Sequence, residues 1–74
     1  MEIEQVLNLV KEIIDMVKDV DEVSREADED YFASVLEKAQ GIGNTIRRSN
    51  TVTERQRGAL KKMMLQLQRK LDTN

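Results

Sequence analysis

The chain has 74 residues, and 12 Lys/Arg against 14 Asp/Glu leave a formal net charge of −2, with no cysteine, no histidine and no proline. This length predicts a single domain over residues 1–74, and a core of that size supplies only about 3–5 kcal/mol of stability unless oligomerisation adds to it. Without thiols or imidazoles there are no disulfides, no thiolate or imidazole metal sites and no ordinary general base, so a non-enzymatic protein with no cofactor, metal or small-molecule substrate is expected.

The first segment places Ile3, Val6, Leu7, Val10, Ile13, Ile14, Val17 and Val20 at helical spacing. This predicts one amphipathic helix over about 2–23. Ile3, Leu7, Val10, Ile14 and Val17 follow a strict four-three alternation, and Leu9, Met16 and Val23 form a second line seven residues apart. The combined apolar arc spans about 200°, wider than the stripe of a little over 100° that a typical core-facing helix shows. The excess predicts homodimerisation through Ile3, Leu7, Leu9, Val10, Ile14, Met16 and Val17. Glu12, Asp15, Asp19 and Glu22 fall on the opposite side at i, i+3, i+4 spacing; they read as a solvated face or as an acidic contact surface for a basic partner. The acidic Met1-Glu-Ile-Glu start and the lack of any apolar run near the roughly 18 residues of a membrane span predict neither signal peptide nor membrane segment, hence a cytoplasmic protein.

"DEVSREADED" interrupts the apolar pattern, and a break is expected between about Val23 and Asp28. Asp28 then suits a helix cap, with Glu29 and Asp30 at the positive end of the dipole. A second helix over about 29–48 follows, with Tyr31, Phe32, Val35, Leu36, Ala39, Ile42, Gly43 and Ile46 on its apolar side. The two aromatics read as core anchors. Gly41-Ile-Gly43 lacks the preceding strand, the third glycine and the later acid of a dinucleotide-binding motif, and no Gly-Lys-Ser/Thr follows it. Ala39 to Gly43 instead forms a small-xxx-small step that admits a close helix neighbour. Gly41 lies on the polar side and marks a point of weakness costing roughly 1 kcal/mol relative to alanine.

"NTVTERQ" offers two overlapping capping boxes, Thr51 with Glu54 and Thr53 with Gln56, and predicts a third helix over about 53–72. Leu60, Met63, Met64, Leu67 and Leu71 line one face of it. The methionine pair beside lysines suits either core filling or an adaptable groove, and Leu65 points away from the stripe. The expected fold class is therefore all-α, a small bundle of three antiparallel helices completed by dimerisation.

Charge is divided along the chain: residues 1–30 hold eleven acids against three bases, and residues 31–74 hold nine bases against three acids. Such halves either neutralise each other or present oppositely charged surfaces to partners. Arg47, Arg48, Arg55, Arg57, Lys61 and Lys62 gather around the turn between the second and third helices. They are the candidate contact residues for another protein or for nucleic acid.

From Phe32 to Met64, "YFASVLEKA" followed by "TVTERQRGALKKM" resembles small phage and prophage-encoded helical proteins, in which an aromatic-led helix and a polar turn precede a T-E-R-Q-x-x-A-L helix start. The first helix lies outside the resemblance, and no catalytic residue is implied by it. What it implies is a small protein that handles nucleic acid or disables a host complex in the host cytoplasm, as anti-CRISPR proteins do. The leading expectation is a protein-protein interaction module, a dimeric helical inhibitor of a host complex. The alternative is a nucleic-acid-binding accessory protein using the basic turn.

Overall fold

The computed structural model describes residues 2–72, and these form four helices: α1 (Glu2–Lys18), α2 (Glu22–Ala27), α3 (Glu29–Ser49) and α4 (Glu54–Asp72). The all-α class is as expected. The helix count is not, because the first predicted helix ends at Lys18 instead of continuing to 23, and the acidic stretch forms a short helix of its own. The cause is Asp21. It sits in extended backbone at φ −64° and ψ 157°, and its carboxylate accepts the Ser24 N–H at 3.2 Å, capping α2. Between the two helices Val20 turns inward and is buried, so the core extends two residues past the end of α1.

The same corner is held from the other side by Arg25. Its Nη2 lies within hydrogen-bond distance of the carbonyls of Val17 (3.1 Å), Lys18 (2.8 Å) and Val20 (3.3 Å). The Val17 carbonyl also accepts the Val20 N–H at 3.3 Å, whereas those of Lys18 and Val20 would otherwise be left to water, and a cation there also complements the helix dipole. Hydrogen bonds from the Ser24 side chain, then from its backbone N–H, hold the Asp21 carboxyl below its ordinary value. A carboxyl lowered in this way supports α2 above the ordinary carboxylate range, and the support is lost as pH falls through the lowered value.

α1 packs against both α3 and α4. Contacts along the grooves fix the directions. Val10 meets Gly43 while Val17 lies beside Phe32, so α3 runs antiparallel to α1. Glu2 pairs with Arg57 while Met16 lies beside Met64 and Gln68, so α4 runs parallel to α1. Val6, Val10, Ile13 and Val17 from α1, Phe32, Val35, Ala39 and Ile46 from α3, and Leu60 and Leu67 from α4 form one core cluster. Each large side chain taken fully out of water contributes about 1.5–3 kcal/mol. Tyr31 and Phe32 meet edge to face at 5.4 Å, and Phe32 is buried, the anchoring role expected of them.

α3 runs unbroken through Gly41, and the small-xxx-small step does bring α1 close. A Cβ built on Gly43 would stand 3.1 Å from Val10 Cγ1, whereas one on Gly41 would meet nothing within 4 Å. α3 ends where Asn50 adopts the left-handed conformation (φ 56°, ψ 30°) and returns its N–H to the Ile46 carbonyl at 2.7 Å. Asparagine tolerates that region better than other residues with a Cβ. Of the two capping boxes, the second forms: the Thr53 hydroxyl accepts the Gln56 N–H at 3.1 Å and Gln56 Oε1 accepts the Thr53 N–H at 2.9 Å. Thr51 turns instead to the Ser49 hydroxyl, 3.0 Å away. Asp28 precedes α3 without a side-chain cap hydrogen bond and pairs with Lys70 of α4 at 3.2 Å.

Two substitutions separate helix propensity from packing. Gly41→Ala is expected to raise stability by about 1 kcal/mol. Gly43→Ala is expected to gain less, because Val10, branched at Cβ and enclosed by the core, has to shift. Urea denaturation of the two variants measures the difference, and equal gains would show that Val10 yields freely.

Candidate functional site

The fold sorts the candidate residues by position. α3 begins with Glu29 and Asp30 and finishes with Arg47 and Arg48, so charges of each sign stand at the helix end whose dipole they complement. With 21 residues in α3, the two groups are separated by roughly 30 Å along the molecule. Glu26, Asp28, Glu29 and Asp30 line one surface with Tyr31 at the acidic end. At the other end Arg47 and Arg48 are joined to Arg55 by the short segment 50–53. The charge division of the sequence thus becomes, in large part, a division between the ends of a rod of 37 × 19 × 17 Å.

The six basic candidates separate into two groups. Arg57 pairs with Glu2, and both Arg57 and Lys61 face the α1–α4 groove with Glu12. Arg47 lines the other groove, between α1 and α3, with Lys11, Lys18 and Asp15. Arg48, Arg55 and Lys62 are exposed. Among the described residues, Arg47, Arg48, Arg55, Lys61 and Lys62 are held in no ion pair. Mutual neutralisation of the two halves is therefore not how these cations are used.

Of the acidic candidates, Glu12, Asp15 and Asp19 line the α1–α4 groove beside Leu9, Met16, Met64 and Gln68. Glu22 does not belong with them. It opens α2, beyond the break, and the seven-residue line of Leu9 and Met16 likewise fails to reach Val23, which is exposed.

The expected dimer residues divide in three. Val10 and Val17 are buried within one chain and offer nothing to a second copy. Ile3, Leu7 and Ile14 are half-buried, with Leu7 and Ile14 on the α3 side. Leu9 and Met16, also half-buried, face the α4 side. Most of the wide apolar arc of α1 is covered by two neighbours within the chain, and Leu9 and Met16 stay part-exposed in the α1–α4 groove. Asn8, Lys11, Glu12, Asp15, Lys18 and Asp19 remain on its exposed ridge, none of them apolar.

Two residues outside the candidate sets stand out in the structure. Arg25 carries the most connected side chain in the α1–α2 corner, and the signal for it was only a lone arginine within an acidic run. Leu65, 61% exposed, follows Lys61 by four residues and precedes Gln68 by three, which places it on the outer rim of the α1–α4 groove. Among the described residues no three Asp, Glu, His or Cys side chains are placed to hold a metal ion, and no helix is long and apolar enough to cross a membrane. No family model, curated protein or solved structure matches the chain.

Removing the corner clamp tests its weight. Arg25→Ala is expected to lower stability by about 1 kcal/mol, with Arg25→Lys recovering part of the loss, since the shorter lysine side chain does not carry its one nitrogen as far as Nη2. Urea denaturation gives the total. Faster amide exchange in the last turn of α1 and in α2 would localise it.

Proposed function

We propose that this chain is a non-enzymatic interaction protein that acts as a homodimer and engages a larger macromolecular complex through its charged surface. The observation that carries this reading is the set of five cations, Arg47, Arg48, Arg55, Lys61 and Lys62, held in no ion pair although the chain carries more acids than bases. Unpaired charge on a rigid end accelerates encounter with an oppositely charged surface and orients the docking that follows. The resemblance of residues 32–64 to small phage and prophage proteins supports a particular form of the reading: a phage-encoded inhibitor of a host complex, anti-CRISPR-like in role, working in the host cytoplasm.

The second reading, a nucleic-acid-binding accessory protein, rests on the same cations. It is less well supported because Arg57 is committed to Glu2, and Glu4 and Glu54 stand at the same end of the rod. Those carboxylates repel phosphate. No aromatic side chain at that end offers a base a stacking surface, since Tyr31 and Phe32 begin α3 at the opposite end.

Two measurements distinguish the readings. In a mobility-shift assay at low salt with mixed single- and double-stranded DNA and RNA, no retention is expected. A shift that weakens steeply with added salt would instead establish the second reading. In affinity capture from the native host, the tagged chain is expected to retain a defined complex, and Arg47→Glu with Arg48→Glu and Arg55→Glu is expected to release it. Capture that survives this reversal would remove the basic end from the function.

A further inference from the structure

We infer that two copies of this chain pair antiparallel about a twofold axis across the α1–α4 groove, with Lys61 of each facing Asp15 and Asp19 of the other. This rests on the dimeric reading above and adds the face, the direction and the residues.

The first ground is apolar surface that the single-chain core leaves open. Leu9, Met16 and Met64 line the groove half-buried, and Leu65, 61% exposed, follows the groove residue Lys61 by one helical turn. Methionine adapts its shape readily, so such a floor packs against a second copy without a fixed mould. The long side of the rod, 37 × 19 Å, matches the roughly 600–800 Å² per copy that a stable interface of modest size covers.

The second ground is direction. Lys61 and the Arg57–Glu2 pair line the groove toward the start of α1, leaving Lys61 as its unmatched cation, Asp15 and Asp19 line it toward the end, and Glu12 lies between them. A twofold contact places the same patch against itself. Parallel pairing would set Lys61 against Lys61 and Asp19 against Asp19. Antiparallel pairing reverses one groove relative to the other and sets cation against carboxylate at both ends. The neighbouring α1–α3 groove has a weaker sense: Arg47 stands at one end and Lys18 at the other, with Lys11 between, and Asp15 is the one carboxylate among them. Antiparallel self-pairing there would bring cation to cation. Charge therefore selects the α4 side of α1. Glu12, at the middle of the groove, is the residue that meets its own counterpart near the axis, so its neutralisation is expected to tighten the pair.

Light scattering on the full chain across the micromolar range, at low salt, tests this. The expected result is twice the mass of one chain. Leu65→Asp is expected to give a folded monomer, because an exposed position does not disturb the core, and circular dichroism checks the fold. Lys61→Glu is expected to weaken association by roughly tenfold or more. Adding Asp15→Lys and Asp19→Lys to Lys61→Glu is expected to restore it, Glu12→Gln to strengthen it, and Lys62→Glu to leave it unchanged. A wild-type chain that stays monomeric overturns both the dimer and this face. A dimer that survives Leu65→Asp and Lys61→Glu, or that responds equally to Lys61→Glu and Lys62→Glu, overturns this face alone and leaves the dimeric reading standing.

Discussion

Val6, Val10, Ile13 and Val17 leave water together only because α3 and α4 close over α1 from two sides. A single helical neighbour covers a stripe little wider than 100°, and α1 carries nearly twice that. Once α1 is held between two helices, their directions follow. The step from Ala39 to Gly43 admits Val10 against the backbone of α3, and Leu60 and Leu67 complete the enclosure from α4. β-branched residues fill much of the buried face of α1, so its helix depends on this packing more than on intrinsic propensity. Everything presented to solvent, including both grooves and both charged ends, is arranged around that enclosure.

The ends of the elements are fixed by polar groups that reinforce the same arrangement. Asp21 starts α2 and Arg25 finishes α1, so one short helix satisfies groups at its own beginning and at its predecessor's end. Asn50 and the Thr53–Gln56 box turn the chain between α3 and α4 in few residues. Lys70 ties the last turn of α4 to Asp28 and stands 4.8 Å from the centre of the Tyr31 ring, fastening the acidic end. Exposed ion pairs of this kind each contribute little. Their effect here is positional: they fasten the end of α4 to the start of α3.

Function, on this reading, is a property of surfaces with sign and direction. The rod shows cations at the α3–α4 turn, acids at the α2 end, and along α1 two grooves whose charges are ordered differently. The α1–α4 groove combines an adaptable apolar floor with opposite charges at its two ends, the combination on which the proposed self-pairing rests, and Arg47, Arg48 and Arg55 lie outside it.

Periodicity alone was enough to read the all-α class, the core faces of the three long helices, the aromatic anchors and the close approach at Gly43, because spacing of 3.6 residues per turn is a local property written directly in the residues. The Thr53–Gln56 box was legible for the same reason, its donors and acceptors lying within four residues of each other. The end of α1 at Lys18 was not. A helix extended through Val23 satisfies the same apolar pattern, and the Asp21 cap, the inward turn of Val20 and the reach of Arg25 to carbonyls as far as eight residues back together decide against it. The apolar arc of α1 shows how much surface must be covered but not by what: one partner helix from a second copy and a second helix from the same chain leave the same pattern. Which charges pair and which stay free is equally beyond the one-dimensional order, because Glu2 and Arg57, distant in the chain, meet only when α4 lies parallel to α1. Local spacing determined the elements and their buried faces, and tertiary packing decided which neighbour covers each face and which charges remain for a partner.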